Sequence, residues 1–258
     1  MKKVLEVINL SKSFGGVHAV NGVSFDLNEG QLLAMIGPNG AGKSTCFNLI
    51  NGQLKPDSGT IRILGKDTTG MRPRHVWGLG VGRTFQITAT FPSMTVLENV
   101  QMVFLSTHRR LRNMWHKTAR LYRDEAMELL RLVGVDRQWN RPCGILAYGD
   151  LKRVELAIAL ANKPKLLLMD EPTAGMGTKE RLKLMELTAR IVKDQSIGVL
   201  FTEHDMDVVF GHADRIIVLS YGKLIAEGAP EEVHGNEKVR EIYFGTNVVP
   251  SCATAEVQ

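Results

Sequence analysis

The sequence predicts an α/β protein: a parallel sheet, an N-terminal antiparallel β subdomain and an inserted helical subdomain. Three observations point to this. Short, almost continuously apolar runs recur at residues 31–36, 166–169, 198–201 and 215–219, as expected of strands buried on both faces. Helical patterns, one of them over residues 178–192, separate the last three runs, which is the alternation of a parallel α/β sheet. The middle, from about Ile87 to Ala161, instead has helical periodicity at residues 96–104, 119–133 and 151–161.

The elements follow in order. Residues 4–10 alternate as a strand should, residues 19–27 read as a second strand, and Asn28-Glu29-Gly30 is the turn into the third at 31–36. After Lys43, the residues Phe47, Leu49 and Ile50 suggest a helix that ends near Gly52. Pro56-Asp57-Ser58-Gly59 makes a turn before a short strand at 60–64. From Asn247 no periodic pattern is left, which reads as a frayed tail. The chain divides into a core with its β subdomain (1–86 and 162–220), a helical subdomain (87–161) and a C-terminal extension (221–258). Its 258 residues, 44% hydrophobic and 23% charged, can bury a large core, and exclude disordered and fibrous classes.

The net charge of +5 is local. Between Asn99 and Arg123 there is no acidic residue and there are six basic ones (Arg109, Arg110, Arg112, Lys117, Arg120, Arg123), so the rest has 26 basic against 27 acidic side chains. A solvated arm is one reading of this stretch. Contact with a membrane partner or anionic headgroups is another, favoured by His108, Trp115 and His116 among the arginines. No nucleic-acid motif accompanies the charge, so nucleic acid is not an expected partner. Cys46, Cys143 and Cys252 are odd in number and lack CxxC spacing, which argues against disulfides and zinc and for a reducing compartment. Glu6 and Asn9 interrupt any signal-peptide stretch, and no apolar run approaches 18 residues. A cytosolic protein is expected, reaching a membrane only through a partner.

Gly37-Pro38-Asn39-Gly40-Ala41-Gly42-Lys43-Ser44-Thr45 fits the phosphate-loop pattern GxxxxGK[ST] and lies between an expected strand and an expected helix. Glycines let backbone N–H groups converge on phosphate oxygens, the helix dipole adds to them, Lys43 supplies a point charge, and Ser44 offers a hydroxyl to Mg²⁺. Leu166-Leu167-Leu168-Met169-Asp170-Glu171 sends two carboxylates out of the C-terminal edge of a buried strand, where ligands of open α/β sheets bind. Asp170 suits a magnesium ion and Glu171 an attacking water. A third strand end, Val199-Leu200-Phe201-Thr202-Glu203, presents His204, whose ring can orient that water. Gln86, after Arg83-Thr84-Phe85, is a candidate link between Mg²⁺ and the helical insertion, although its spacing alone also fits a surface glutamine.

In order and rough spacing, the phosphate loop, Gln86, Leu146-Ala147-Tyr148-Gly149-Asp150, Asp170-Glu171 and His204 resemble the ATP-binding subunits of ABC transporters over nearly the whole chain. Leu146-Ala147-Tyr148-Gly149, Glu203-His204-Asp205-Met206, Thr173-Ala174-Gly175-Met176 and the basic segment after Thr95-Val96-Leu97-Glu98-Asn99-Val100 look most like the branched-chain amino acid uptake type. The resemblance implies a phosphate-loop (RecA-like) core and an ATPase that uses ATP and Mg²⁺. It further implies a head-to-tail dimer with an identical or paralogous subunit, in which Ala147, Tyr148 and Gly149 of one chain clamp the ATP held by Asn39, Gly40, Ala41, Gly42, Lys43, Ser44 and Thr45 of the other. Glu171, His204 and Lys43 take the catalytic roles; Ser44, Gln86 and Asp170 hold the metal. Phe14 matches the position that stacks on adenine, with Val20 beside it; either also fits a core residue. Implied partners are membrane permease subunits and, indirectly, a periplasmic binding protein, with the chain at the cytoplasmic face of the membrane. Urea or amide uptake, and lipid or polysaccharide export, are alternatives within the family.

The chain departs from the family at the signature, where Ala147-Tyr148-Gly149-Asp150 replaces the common Ser-Gly-Gly-Gln and the serine hydroxyl is absent, and again at Gly177. Asp150 stands where glutamine is usual; about 8 Å from a γ-phosphate its charge would cost on the order of 1 kcal/mol, so it is expected to weaken the ATP sandwich. Gly177 stands where the loop after the Walker B acids usually has aspartate. A GTPase is disfavoured because Asn162-Lys163-Pro164-Lys165 has lysine where the guanine-reading aspartate belongs. Repair or translation ATPases would carry a long coiled coil or two cassettes, and this chain has neither.

Overall fold

The structure, a computed structural model, describes residues 2–84, 90–107 and 122–244. An antiparallel hairpin, β1 (Lys3–Phe14) and β2 (Val17–Asn28), precedes β3 (Leu32–Ile36), which runs into the phosphate loop and α1 (Lys43–Ile50). Next come β4 (Ser58–Ile63), β5 (Lys66–Asp67), α2 (Pro73–Trp77) and β6 (Val81–Thr84). The helical segment holds α3 (Val96–Thr107), α4 (Arg123–Val133) and α5 (Tyr148–Leu160). Then β7 (Leu166–Asp170), α6 (Thr178–Gln195), β8 (Gly198–Thr202), α7 (Met206–His212) and β9 (Arg215–Ser220) complete the alternation, followed by β10 (Lys223–Gly228), α8 (Pro230–His234) and α9 (Glu237–Phe244).

Two sheets form: β2-β1-β4-β5, antiparallel, and β10-β9-β3-β8-β7-β6, parallel except at β10. The central strands divide their side chains between two cores. Leu32, Ala34 and Ile36 of β3, Val199 and Phe201 of β8, and Ile216 and Val218 of β9 pack under the helices. The intervening Leu33, Met35, Leu200, Ile217 and Leu219 pack with α1 and the antiparallel sheet. Strict alternation with apolar residues on both faces is why polar residues are confined to the ends of these strands, at Thr202, Arg215 and Ser220.

The fold class agrees with the expectation, and several boundaries differ. β1 and β2 are longer than expected because their outer ends pair with each other across the hairpin. Helix α5 starts at Tyr148, three residues before the apolar periodicity, because Ala147 is its N-cap. Strand β6 was not expected: Val81-Gly82-Arg83-Thr84 has no apolar alternation and is held by parallel pairing with β7. Edge strand β10, whose apolar run is only Leu224-Ile225-Ala226, was likewise not expected and is held by pairing with β9. α3 opens on a capping box, in which Thr95 Oγ1 accepts from Glu98 N–H at 3.2 Å and Glu98 Oε2 accepts from Thr95 N–H at 2.8 Å. The tail from Asn247, Gln86 and most of the basic stretch lie outside the described residues.

Candidate functional site: a phosphate loop facing two carboxylates

The loop between β3 and α1 wraps a cavity of about 200 Å³ lined by Ala19, residues 39–45, Glu171 and His204. Gly42 caps α1 with φ +102°, and a Cβ there would lie 2.2 Å from Ala19 O, so the loop needs glycine for both conformation and space. No side chain caps α1 and its first turn carries no acid, which leaves its leading N–H groups and positive dipole end for an anion. Lys43, buried in the loop, donates to Gly37 O (2.6 Å) and Pro38 O (3.2 Å). Burial lowers its pKa, opposed by the charges of Glu171 and Asp170.

The carboxylates sit where parallel pairing sets β7 beside β8, with Asp170 opposite Thr202. Thr202 Oγ1 donates to Asp170 Oδ1 (2.8 Å) and accepts from Glu171 N–H (3.0 Å). This shared hydroxyl helps hold Glu171 at φ +48°, a left-handed turn that carries its side chain out of the strand line. Glu171 Oε1 lies 2.8 Å from His204 Nε2; an ionised carboxylate only accepts, so the ring N–H donates. Buried Glu203 braces the histidine loop: its Oε1 accepts from Thr173 Oγ1 (2.6 Å) and N–H (2.9 Å), and its Oε2 from His204 N–H (3.2 Å). Arg83 Nη2 is 3.9 Å from Asp170 Oδ2 and 3.2 Å from Asn48 Oδ1, linking β6, β7 and α1.

The expected residues thus fall into three groups. Asn39, Gly40, Ala41, Gly42, Lys43, Ser44, Thr45, Glu171 and His204 line one cavity, with Asp170 beside it. Phe14, 46% exposed at the hairpin end, and the exposed signature residues Ala147 and Tyr148, with Gly149, do not line it. Val20 is fully buried in the core under the antiparallel sheet, so in this conformation it offers no surface to a base. The signature turn packs within its own chain, a Cβ on Gly149 lying 3.3 Å from Glu180 Oε2 and one on Gly175 lying 3.3 Å from the Tyr148 ring. Thr202, Glu203 and Arg83 are site residues whose roles no sequence motif marks. A hydroxyl closing an apolar strand is the one sequence signal at Thr202, and it does not name the carboxylate that the register brings beside it.

A family model described as ABC transporter matches residues 20–174, and one described as branched-chain amino acid ATP-binding cassette transporter matches residues 223–249. The chain belongs to the ABC transporter family. The high-affinity branched-chain amino acid transport ATP-binding protein BraF of Pseudomonas aeruginosa is 38% identical over 254 residues, covering 95% of this chain and 98% of that protein. The LivG protein of the same description from Escherichia coli K12 is 37% identical over 252 residues, covering 94% and 98%. Among solved structures, an ABC transporter cassette in its ADP conformation superposes with a TM-score of 0.85 at 33% identity, covering 95% of this chain and 100% of that one. A dimeric bacterial ABC transporter cassette reaches 0.76 at 28% identity, covering 88% and 98%.

For this ATP-binding cassette, Thr202→Val is expected to lower kcat about tenfold, since it frees Asp170 and removes an acceptor from Glu171 N–H. Phosphate release measured across a magnesium titration checks this; an unchanged rate would mean that Asp170 is oriented from elsewhere.

Proposed function

We propose that the chain is the ATP-hydrolysing subunit that powers a membrane importer for branched-chain or other hydrophobic amino acids. The observation that carries the hydrolytic reading is the 2.8 Å contact between His204 and Glu171 at the phosphate-loop cavity. The importer class is supported by the similarity to BraF and LivG and by the match at residues 223–249.

Ser44 and Asp170, with Gln86, suit a magnesium ion, since Mg²⁺ takes one or two carboxylates and completes its shell with phosphates and water. When bound, it supplies charge neutralisation on the phosphates. The chain's own residues do the rest. Lys43 exchanges two carbonyl partners for phosphate oxygens, and the leading N–H groups of α1 bind the anion. Glu171 orients the attacking water as base, and His204, donating to Glu171, fixes its rotamer and the water's approach. Phe14 stacks on the base. Ala147, Tyr148 and Gly149 cap the nucleotide of a second, head-to-tail subunit, whose own signature completes this site. The single cassette (core 1–86 and 162–220, helical subdomain 87–161, extension 221–258) docks on permease subunits at the cytoplasmic face of the membrane, and a periplasmic binding protein delivers cargo. No helix among the described residues is long and apolar enough to cross a membrane.

Phosphate release by the purified chain with Mg-ATP, with and without Lys43→Ala, over a range of protein concentrations tests the reading. Expected is hydrolysis that requires Lys43 and rises faster than linearly with concentration. Binding without turnover would call for a different partner subunit, and turnover indifferent to Lys43 would overturn the site.

A further inference from the structure

Asp150 lies in the first turn of α5, and its Oδ2 accepts a hydrogen bond from Gln138 Nε2. Gln138 is oriented from its other end, where Arg141 Nη1 donates to its Oε1 over 3.2 Å. An amide polarised by a guanidinium is a stronger donor to an ionised acceptor. Gln138 and Arg141 belong to residues 138–144, which are bonded along their length to residues 91–99. Val96 N–H donates to Arg141 O (3.0 Å), Leu97 N–H to Trp139 O (2.9 Å), Cys143 N–H to Met94 O (3.0 Å) and Gly144 N–H to Pro92 O (2.9 Å). Buried Asn99 braces the pair: its Nδ2 is 2.9 Å from Thr95 O and 3.3 Å from Cys143 Sγ, while its Oδ1 accepts from Phe91 N–H at 2.8 Å.

We propose that Asp150 is a positioning residue: through Gln138 it clasps the signature turn to the braced unit of residues 91–99 and 138–144. Ala147, Tyr148 and Gly149 are then held as one body with residues 91–99 and 138–144, so that the signature keeps the orientation in which it meets a second subunit's ATP. The clasp rests on the reading that the signature caps the second subunit's ATP. It also assigns Asp150 a part opposite in sign to the repulsion expected from its charge alone.

The test uses the full chain, in whichever assembly gives Lys43-dependent turnover. Asp150→Ala and Gln138→Ala should each lower kcat about tenfold, and the double variant no further, because both remove one interaction. The affinity of the dilute, undimerised chain for a fluorescent ATP analogue should stay unchanged, since the phosphate loop is untouched and no second signature caps the nucleotide there. Gln138→Glu, which sets two carboxylates against each other, should also lose turnover, and adding Asp150→Asn should restore it because the new amide donates to the new carboxylate. The exchange keeps side-chain size and covers the case in which an alanine variant fails to fold. Additive losses, or no rescue by the exchange, would overturn the clasp. So would faster turnover or tighter ATP-dependent dimerisation in Asp150→Ala, which would restore simple repulsion. Turnover that is indifferent to Lys43 would instead sink the functional reading, and the clasp with it.

Discussion

Glu171→Gln is expected to lower phosphate release by at least about a hundredfold while leaving nucleotide binding intact, the size of effect that follows loss of a positioned base. The amide matches the carboxylate in shape and its oxygen still accepts from His204, now 2.8 Å from Glu171 Oε1, so the cavity keeps its geometry. The backbone N–H at 171 keeps its bond to Thr202 Oγ1, which the side chain does not affect. What is lost is the ability to take a proton from water. Removing one negative charge facing the phosphate site also favours ATP in the closed state, so the variant should accumulate as an ATP-bound dimer in light scattering. Residual hydrolysis near the unmodified rate would remove Glu171 from the role of base and leave His204 as the group to test next.

Gly42→Ala has the second largest expected effect, and it acts on the backbone. The residue sits at φ +102°, and its Cβ would lie 2.2 Å from Ala19 O, with the Gly222 Cα 3.5 Å away. Neither neighbour is the end of a flexible side chain. The loop must therefore shift against β2 and against the β9–β10 turn, whose Gly222 N–H donates to Ala41 O at 3.0 Å. Left-handed strain and forced overpacking together cost about 2–4 kcal/mol, read as a lowered unfolding midpoint in urea. A displacement of about 1 Å in a phosphate cradle is worth up to about a hundredfold in kcat/KM. A variant with native stability and native nucleotide affinity would mean that the loop relaxes elsewhere.

The parts of this fold that could be read without a structure are those in which one segment carries its own signal. Residues 31–50 do so: an apolar strand, a glycine-rich loop and an amphipathic helix follow one another, and each element specifies its neighbour's start. The strand ends at Asp170-Glu171 and His204 do so as well, because a buried parallel strand has no polar residue until it emerges at the ligand-binding edge. Strand β6 does not. Gly82 packs so close to α5 that a Cβ would lie 2.8 Å from Ala159 O, so the small residue that weakens the strand signal is the one the packing requires. The edge strand β10 carries a weak signal because its apolar run is only Leu224-Ile225-Ala226 and it pairs on one side with β9 alone.

The residue types and their order along the chain determined by themselves the fold class, the phosphate loop, the two carboxylates and the histidine. Each depends on contiguous residues, whose spacing is fixed by covalent geometry. Only the tertiary structure decided that Thr202 serves both Asp170 and Glu171, that Arg83 joins α1 to β7, that Val20 is core, and that Asp150 faces Gln138. The physical reason is register: residues 31 and 32 positions apart meet across β7 and β8 because two apolar strands align to bury both faces, and no local pattern encodes that alignment.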